Sequence, residues 1–286
     1  MSRQAIIERE RRQRPWVVVA CFVPALFYML ALVIESGSGI EIGGLETEEL
    51  RSIDEHSSGL LLATIARGIG FAAMTVPLFF LFKAAQARTD RVRGMLIGLV
   101  VVGPVLLAVQ GLITWSAQTD IAAQFVEQSP GVGDIYSLAE NLREESSGLQ
   151  TAAGLLLPGM LALIFSLIYV PLWATRTGLL TRFFGTLGMA LGASILFILQ
   201  IALLAILLWL VWFGLMLVGR VPSGRPPAWD AGEAIPWQVA GSEPLAVAGA
   251  NGDVVEGDAT EIPGVDENPN AARRERAKRR KRKRRR

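Results

Sequence analysis

One cysteine, one histidine and three tyrosines are all that the 286 residues offer to the commonest side-chain chemistries. The lone cysteine, Cys21, lies inside an apolar run, so no disulfide framework forms within the chain. The lone histidine, His56, sits in an acidic stretch with no second His or Cys beside it, which reads as a surface residue rather than a ligand. The chain contains no P-loop, G-x-S-x-G, H-E-x-x-H or C-x-x-C motif. An enzyme built here would have to use carboxylates or hydroxyls. Its acids sit on amphipathic, charged segments, where solvated faces explain them better than general acid–base work. The expectation is a protein that is not an enzyme, with no catalytic residue, no cofactor and no metal site.

The absence with the largest consequence is of charge. From Phe183 to Gly219 the chain has no Asp, Glu, Lys, Arg or His. A hydrocarbon core about 30 Å thick takes roughly 20 apolar residues in a helix. This segment as one helix would run about 55 Å, too long for one span even when steeply tilted. It reads as a membrane hairpin turning near Gln200, with two arms of about 27 Å and almost no loop. An apolar content of 51% and a mean hydropathy of +0.40 point to a membrane protein as well.

Four more apolar runs precede the hairpin: Trp16 to Ile34, Leu60 to Phe82, Met95 to Trp115 and Leu149 to Trp173. The first is longer than a signal-peptide core and lacks an A-x-A cleavage pattern, so it reads as a retained span. Residues 35–59 and 116–148 are acidic. Each carries a helical apolar spacing, Leu50 with Ile53 in one and Ile135, Leu138 and Leu142 in the other. Residues 1–15 have five Arg, and the loops 83–94 and 174–182 are basic too. Lys and Arg concentrate on the cytoplasmic side of short loops. The alternation therefore places the N-terminus and both basic loops inside and the acidic stretches outside. The expected fold is all-α: a polytopic membrane protein with six transmembrane helices in three up-down hairpins, two short external amphipathic helices and a disordered cytoplasmic tail. The expected location is the bacterial plasma (inner) membrane, with both termini cytoplasmic. Five spans with an external tail is the alternative.

Four regions follow: a basic cytoplasmic N-terminus at 1–15, a six-span transmembrane domain at 16–219, a disordered acidic Pro/Gly linker at 220–270 and a polybasic tail at 271–286. There is also a trace of internal repetition. EHSSGL at 55–60 matches EESSGL at 144–149, VPLF at 76–79 matches VPLW at 170–173, and an Arg-Thr pair follows at 88–89 and at 176–177. Repeats of one orientation are related by an axis along the membrane normal. Membrane-edge residues shared by chance are the other explanation.

Arg67 is the one charge inside a span, seven residues below the acidic edge of its run, about 10 Å deep. A side chain that long can snorkel to the interface or pair with Glu35, Asp120 or Glu145; alternatively it marks a substrate or ion path at the outer mouth. Ala66, Gly70 and Ala73 lie beside it and suggest close helix packing. Pro24, Pro77, Pro104, Pro158 and Pro171 fall within spans, either as simple kinks or as the broken helices of a transport site. Gln110, Thr114 and Gln200 read as interhelical hydrogen-bond partners.

The tail holds Arg273, Arg274, Arg276, Lys278, Arg279, Arg280, Lys281, Arg282, Lys283, Arg284, Arg285 and Arg286 against a single acid, Glu275. Each cation near an anionic leaflet contributes about 1 kcal/mol, so anionic headgroups are the first expected partner. RNA or a ribosome is the second, bound without sequence preference because no aromatic residue interleaves the charges. A merely solubilising or orientation-setting tail is the plain alternative. The reading of function is a non-enzymatic scaffold or interaction protein that can self-associate, with a small transporter or channel using Arg67, or a membrane-protein insertion and assembly factor, as alternatives. No small-molecule ligand is identifiable.

The segments RTGLLTRFFGTLG (176–188) and LVGRVPSGRPPAW (217–229) resemble a recurring pattern in uncharacterised multi-span bacterial membrane proteins of high-GC genomes. The resemblance covers the last third of the chain. It implies a membrane family and carries over no catalytic or binding residue.

Overall fold

The computed structural model describes residues 2–37, 46–222 and 224–235. Residues 236–286 lie outside them, and with them most of the expected linker and every basic residue of the polybasic tail.

The described residues are helical without a strand. In order they form α1 (Arg3–Gly37), α2 (Glu46–Glu55), α3 (Ser57–Gln86), a 3₁₀ turn at Gly94–Leu96 leading into α4 (Ile97–Gln128), α5 (Ile135–Glu145), α6 (Ser147–Arg176), α7 (Arg182–Ser194), α8 (Leu199–Val218) and the single turn α9 (Ala228–Ala231). Local chemistry sets several boundaries. The Asp134 carboxylate accepts from the N–H groups of Tyr136 and Ser137, the Ser146 hydroxyl from Leu149 and the Thr181 hydroxyl from Phe184, so α5, α6 and α7 each start on an N-cap. Gly219, in the left-handed region at φ 77°, ends α8.

Among the described residues, five helices are long and apolar enough to cross a membrane: α1, α3, α4 with its 3₁₀ turn, α6 and α8. They are compatible with a multi-pass membrane protein. Two run well past the apolar stretches read from sequence. α1 starts at Arg3, so the basic N-terminus continues the first long helix, and α4 extends through Asp120 and Glu127 to Gln128. The second extension has a packing cause. Ile121, Ala122 and Phe125 of α4 are buried together with Leu50 and Ile53 of α2 and Ala139 of α5. Arg143 of α5 reaches Glu46 of α2 at 2.8 Å and Glu49 at 3.6 Å. The two amphipathic helices thus share one apolar cluster with the far end of α4.

The element order repeats. A 35-residue helix, a 10-residue helix and a 30-residue helix (α1, α2, α3) are followed by helices of 35, 11 and 30 residues, counting the 3₁₀ turn with α4. The two 30-residue helices begin at Ser57 and Ser147 and carry the EHSSGL and EESSGL segments at their starts. Small residues bring partners together. At Gly103 of α4 a Cβ would lie 2.6 Å from the backbone nitrogen of Leu163 in α6, so only glycine allows this crossing.

The uncharged segment does double back, and it turns close to Gln200, but its arms differ from the expectation of two equal crossings. The chain breaks at 195–198, just before Gln200, and the arms are 13 and 20 residues long. At about 20 Å, α7 is too short to count as a span by length, whereas α8 at about 30 Å is not. The short arm packs closely. Gly185, Gly188 and Gly192 line one face of α7 and sit tightly against Thr175, Trp209 and Leu167 respectively. The helix ends where the N–H groups of Phe197 and Ile198 both turn back to the carbonyl of Ser194. Gln200 stays inside α8 and accepts a 3.2 Å hydrogen bond from the Tyr28 hydroxyl.

A second correction concerns the stretch after α8, which composition assigns to a disordered linker. Residues 224–235 instead pack onto the bundle. Trp229 is 1% exposed, stacks on Phe80 with ring centroids 5.6 Å apart and donates its indole N–H to the carbonyl of Leu179 at 2.9 Å. The Ile235 N–H donates to Thr177 O at 3.2 Å, and Arg3 pairs with Glu233. Pro226 and Pro227 restrict the chain just before α9, and Gly232 at φ 65° closes it.

Candidate functional site

Two places in the bundle put charge where apolar packing would be the default. The first is Arg67. Its Nη2 donates to both oxygens of Glu35 at 2.5 and 2.6 Å, and its guanidinium lies 5.8 Å from the centre of the Tyr28 ring. Of the three carboxylates within reach by sequence, the structure selects Glu35, which α1 carries on its last turns. The pair lines a pocket of about 280 Å³ between α3 and α4. Thr64, Gln110, Thr114 and Gln118 also face it, with Phe71 and Leu107 lining its apolar side. Within α4, Gln110 Nε2 donates to Thr114 Oγ1 at 2.8 Å, so this pair is satisfied inside one helix rather than between two. A guanidinium held by its carboxylate, in a pocket that amides and hydroxyls also line, can hydrogen-bond a small polar solute. The donor set suits a metal poorly, because the one carboxylate is already engaged.

The second place is not among the sites the sequence suggests. The side chain of Arg88, in the loop after α3, is completely buried with that of Glu10 of α1. Its Nη1 donates to Glu10 Oε1 at 2.5 Å and to Ala84 O at 2.9 Å. Its Nη2 donates to Glu10 Oε2 and Ala228 O, both at 2.9 Å, and its Nε reaches Ala228 O at 3.3 Å. A guanidinium has five N–H donors, and here all five are used. The same group lies 5.5 Å from the centre of the Trp229 ring. One buried ion pair therefore ties α1, the α3–α4 loop and the segment beyond α8. Glu10 is hidden among five arginines, and Arg88 sits in a loop that reads as an ordinary basic edge. The available signals were the Arg-Thr pair at 88–89 and a tryptophan in a Pro/Gly-rich stretch.

His56 stands between α2 and α3, half-buried, with Nδ1 3.1 Å from the carbonyl of Ser52. The repeat counterpart of Arg88, Arg176, lies over the ring of Trp173 at 5.1 Å. The two segments that carry the sequence resemblance meet in space, through Trp229 of one and Leu179 of the other. No family model, curated protein or solved structure matches the chain.

Proposed function

We propose that the protein is a non-enzymatic membrane scaffold whose arginine-rich end engages anionic headgroups or another polyanion at the cytoplasmic face of a bacterial plasma membrane. In this reading the chain makes six membrane passages, α7 being the short one, with α2 and α5 outside and both termini inside. It belongs with the multi-span bacterial membrane proteins that residues 176–188 and 217–229 resemble.

The observation that carries the reading is the convergence at Arg88. The Arg88–Glu10–Trp229 contacts hold residues 224–235 at the same end of the bundle as the arginines of early α1 and the loops after α3 and α6. Basic loops favour the cytoplasmic side, and the polybasic residues Arg273 to Arg286 follow from that end. Full-length protein in nanodiscs is expected to co-float with phosphatidylglycerol liposomes at low salt, and protein lacking residues 271–286 is not. Equal flotation of the two would remove the scaffold reading of the tail. Ribosome co-sedimentation lost on the same truncation, without liposome binding, would favour the assembly-factor alternative.

A second reading is supported by the pocket at Arg67, which makes the chain a small transporter or channel. It expects Arg67→Ala and Glu35→Gln each to change solute or ion flux in proteoliposomes at least tenfold, on the order of 1.4 kcal/mol in the rate-limiting step. Unchanged flux for a broad panel of small polar and anionic solutes in both folded variants would eliminate it.

A further inference from the structure

The pocket of about 280 Å³ at Arg67 is lined by more hydrogen-bonding groups than its own residues use. Arg67 spends only Nη2, on Glu35. Nε and Nη1 therefore keep three of the five guanidinium N–H donors. Gln110 gives one N–H to Thr114 and keeps its carbonyl oxygen. The Thr64 hydroxyl and the Gln118 amide, on the same walls, make no hydrogen bond among the described residues. Polar groups inside an apolar bundle are costly unless something satisfies them. The walls are polar yet carry no net charge. Glu35 and Arg67 oppose each other at 2.5 Å, and no other described residue lining the pocket is charged.

We infer that this pocket binds a small uncharged solute with an oxygen acceptor beside an N–H or O–H donor, as in a simple amide or a polyol. The acceptor takes the open N–H groups of Arg67, and the donor reaches the carbonyl oxygen of Gln110 or Gln118. Charge decides against ions. An anion meets the Glu35 carboxylate beside a guanidinium that is already neutralised, and a cation meets that guanidinium. Either ion leaves a net charge within the bundle, which an uncharged solute of the same shape avoids. Size decides against larger ligands, because drug-sized molecules occupy roughly 300–1,000 Å³. The assignment rests on the part of the transporter reading that puts a solute at Arg67, and it makes no use of passage across the membrane.

The test uses the full-length chain in nanodiscs and three probes of nearly one shape: acetamide, acetate and acetamidinium, which are neutral, anionic and cationic at pH 7. Saturation-transfer NMR on their methyl protons measures binding, with empty nanodiscs as the blank. Acetamide is expected to bind saturably and roughly tenfold or more tightly than either ion, the least that a net charge in the bundle implies. Excess glycerol is expected to displace it, and the tighter binder of the two separates an amide source from a polyol. Glu35→Gln is expected to turn the preference to acetate and Arg67→Met to turn it to acetamidinium, because each leaves one charge unopposed. No saturable acetamide binding to the wild-type protein, or an ion bound as tightly as acetamide, overturns the assignment even if both variants fail to fold. So does a preference for acetamide that survives both substitutions in folded protein. Acetamide binding without flux in proteoliposomes supports the site and removes the transporter. Flux of ions without acetamide binding keeps a transporter and overturns the uncharged ligand.

Discussion

Arg88→Met is expected to destabilise the protein by about 3–5 kcal/mol, the usual effect of removing one partner from a buried ion pair. The substitution leaves Glu10, 2% exposed, as an uncompensated carboxylate. It also strips the carbonyls of Ala84 and Ala228 of their guanidinium donors. A longer-range effect follows, because the pair joins three separate parts of the chain. Residues 224–235 should detach and become sensitive to protease while the long helices remain. Glu10→Gln/Arg88→Met should recover much of the loss, since two neutral groups in a packed site escape most of the desolvation cost. Thermal unfolding in detergent, followed by tryptophan fluorescence, measures the first effect, and limited proteolysis between Gly224 and Ile235 measures the second. A single variant as stable as the parent, or a double variant less stable than the single, would contradict the role assigned to the pair.

Trp209→Ala is expected to cost about 3 kcal/mol or more and to separate the arms of the α7–α8 hairpin. Trp209 is 3% exposed and stacks on Phe184 and Phe213 with centroids 5.1 and 6.1 Å away. Its indole N–H donates to Phe184 O at 3.0 Å, and its ring fills the space that Gly188 leaves open. Truncation to alanine therefore removes the ring stack, the hydrogen bond and the filling of the glycine notch together. Trp209→Phe keeps the first and part of the third, so its effect should be less than half as large. Cysteine cross-linking between α7 and α8 reports the separation. Efficient cross-linking retained in Trp209→Ala would show that the glycine face on α6 holds α7 without it.

The two predictions concern features of unequal visibility in the sequence. Long apolar runs announce the helices α1, α3, α4 and α6, because hydropathy needs no partner to be read. The spacing of Leu50 with Ile53, and of Ile135, Leu138 and Leu142, announces the short helices for the same reason. Arg67 stands out because a charge inside an apolar run is rare, and Glu35 is its nearest acid along the adjoining helix. What stays hidden depends on partners distant in sequence. Arg88 and Glu10 are 78 residues apart, and each resembles its neighbours until the fold encloses it. The unequal arms stay hidden too, because the glycine notches of α7 take their meaning only from Thr175, Leu167 and Trp209 on other helices. Composition likewise makes residues 220–235 look unstructured, because it averages away the one tryptophan that anchors them.

The start of α8 meets α1 at Tyr28, about two and a half turns before that helix ends at Gly37. The hairpin tip beside it is apolar and open, with Phe197 85% exposed, and no side chain caps the first N–H groups of α8. Such donors are expensive in hydrocarbon. In a bilayer thick enough for the long helices, headgroups and water must dip toward this tip to hydrate it, at a deformation energy of fractions of a kcal/mol per ångström. The lipid sheet beside the hairpin is then pinched on one side, and short-chain lipids should collect there in preference to long ones.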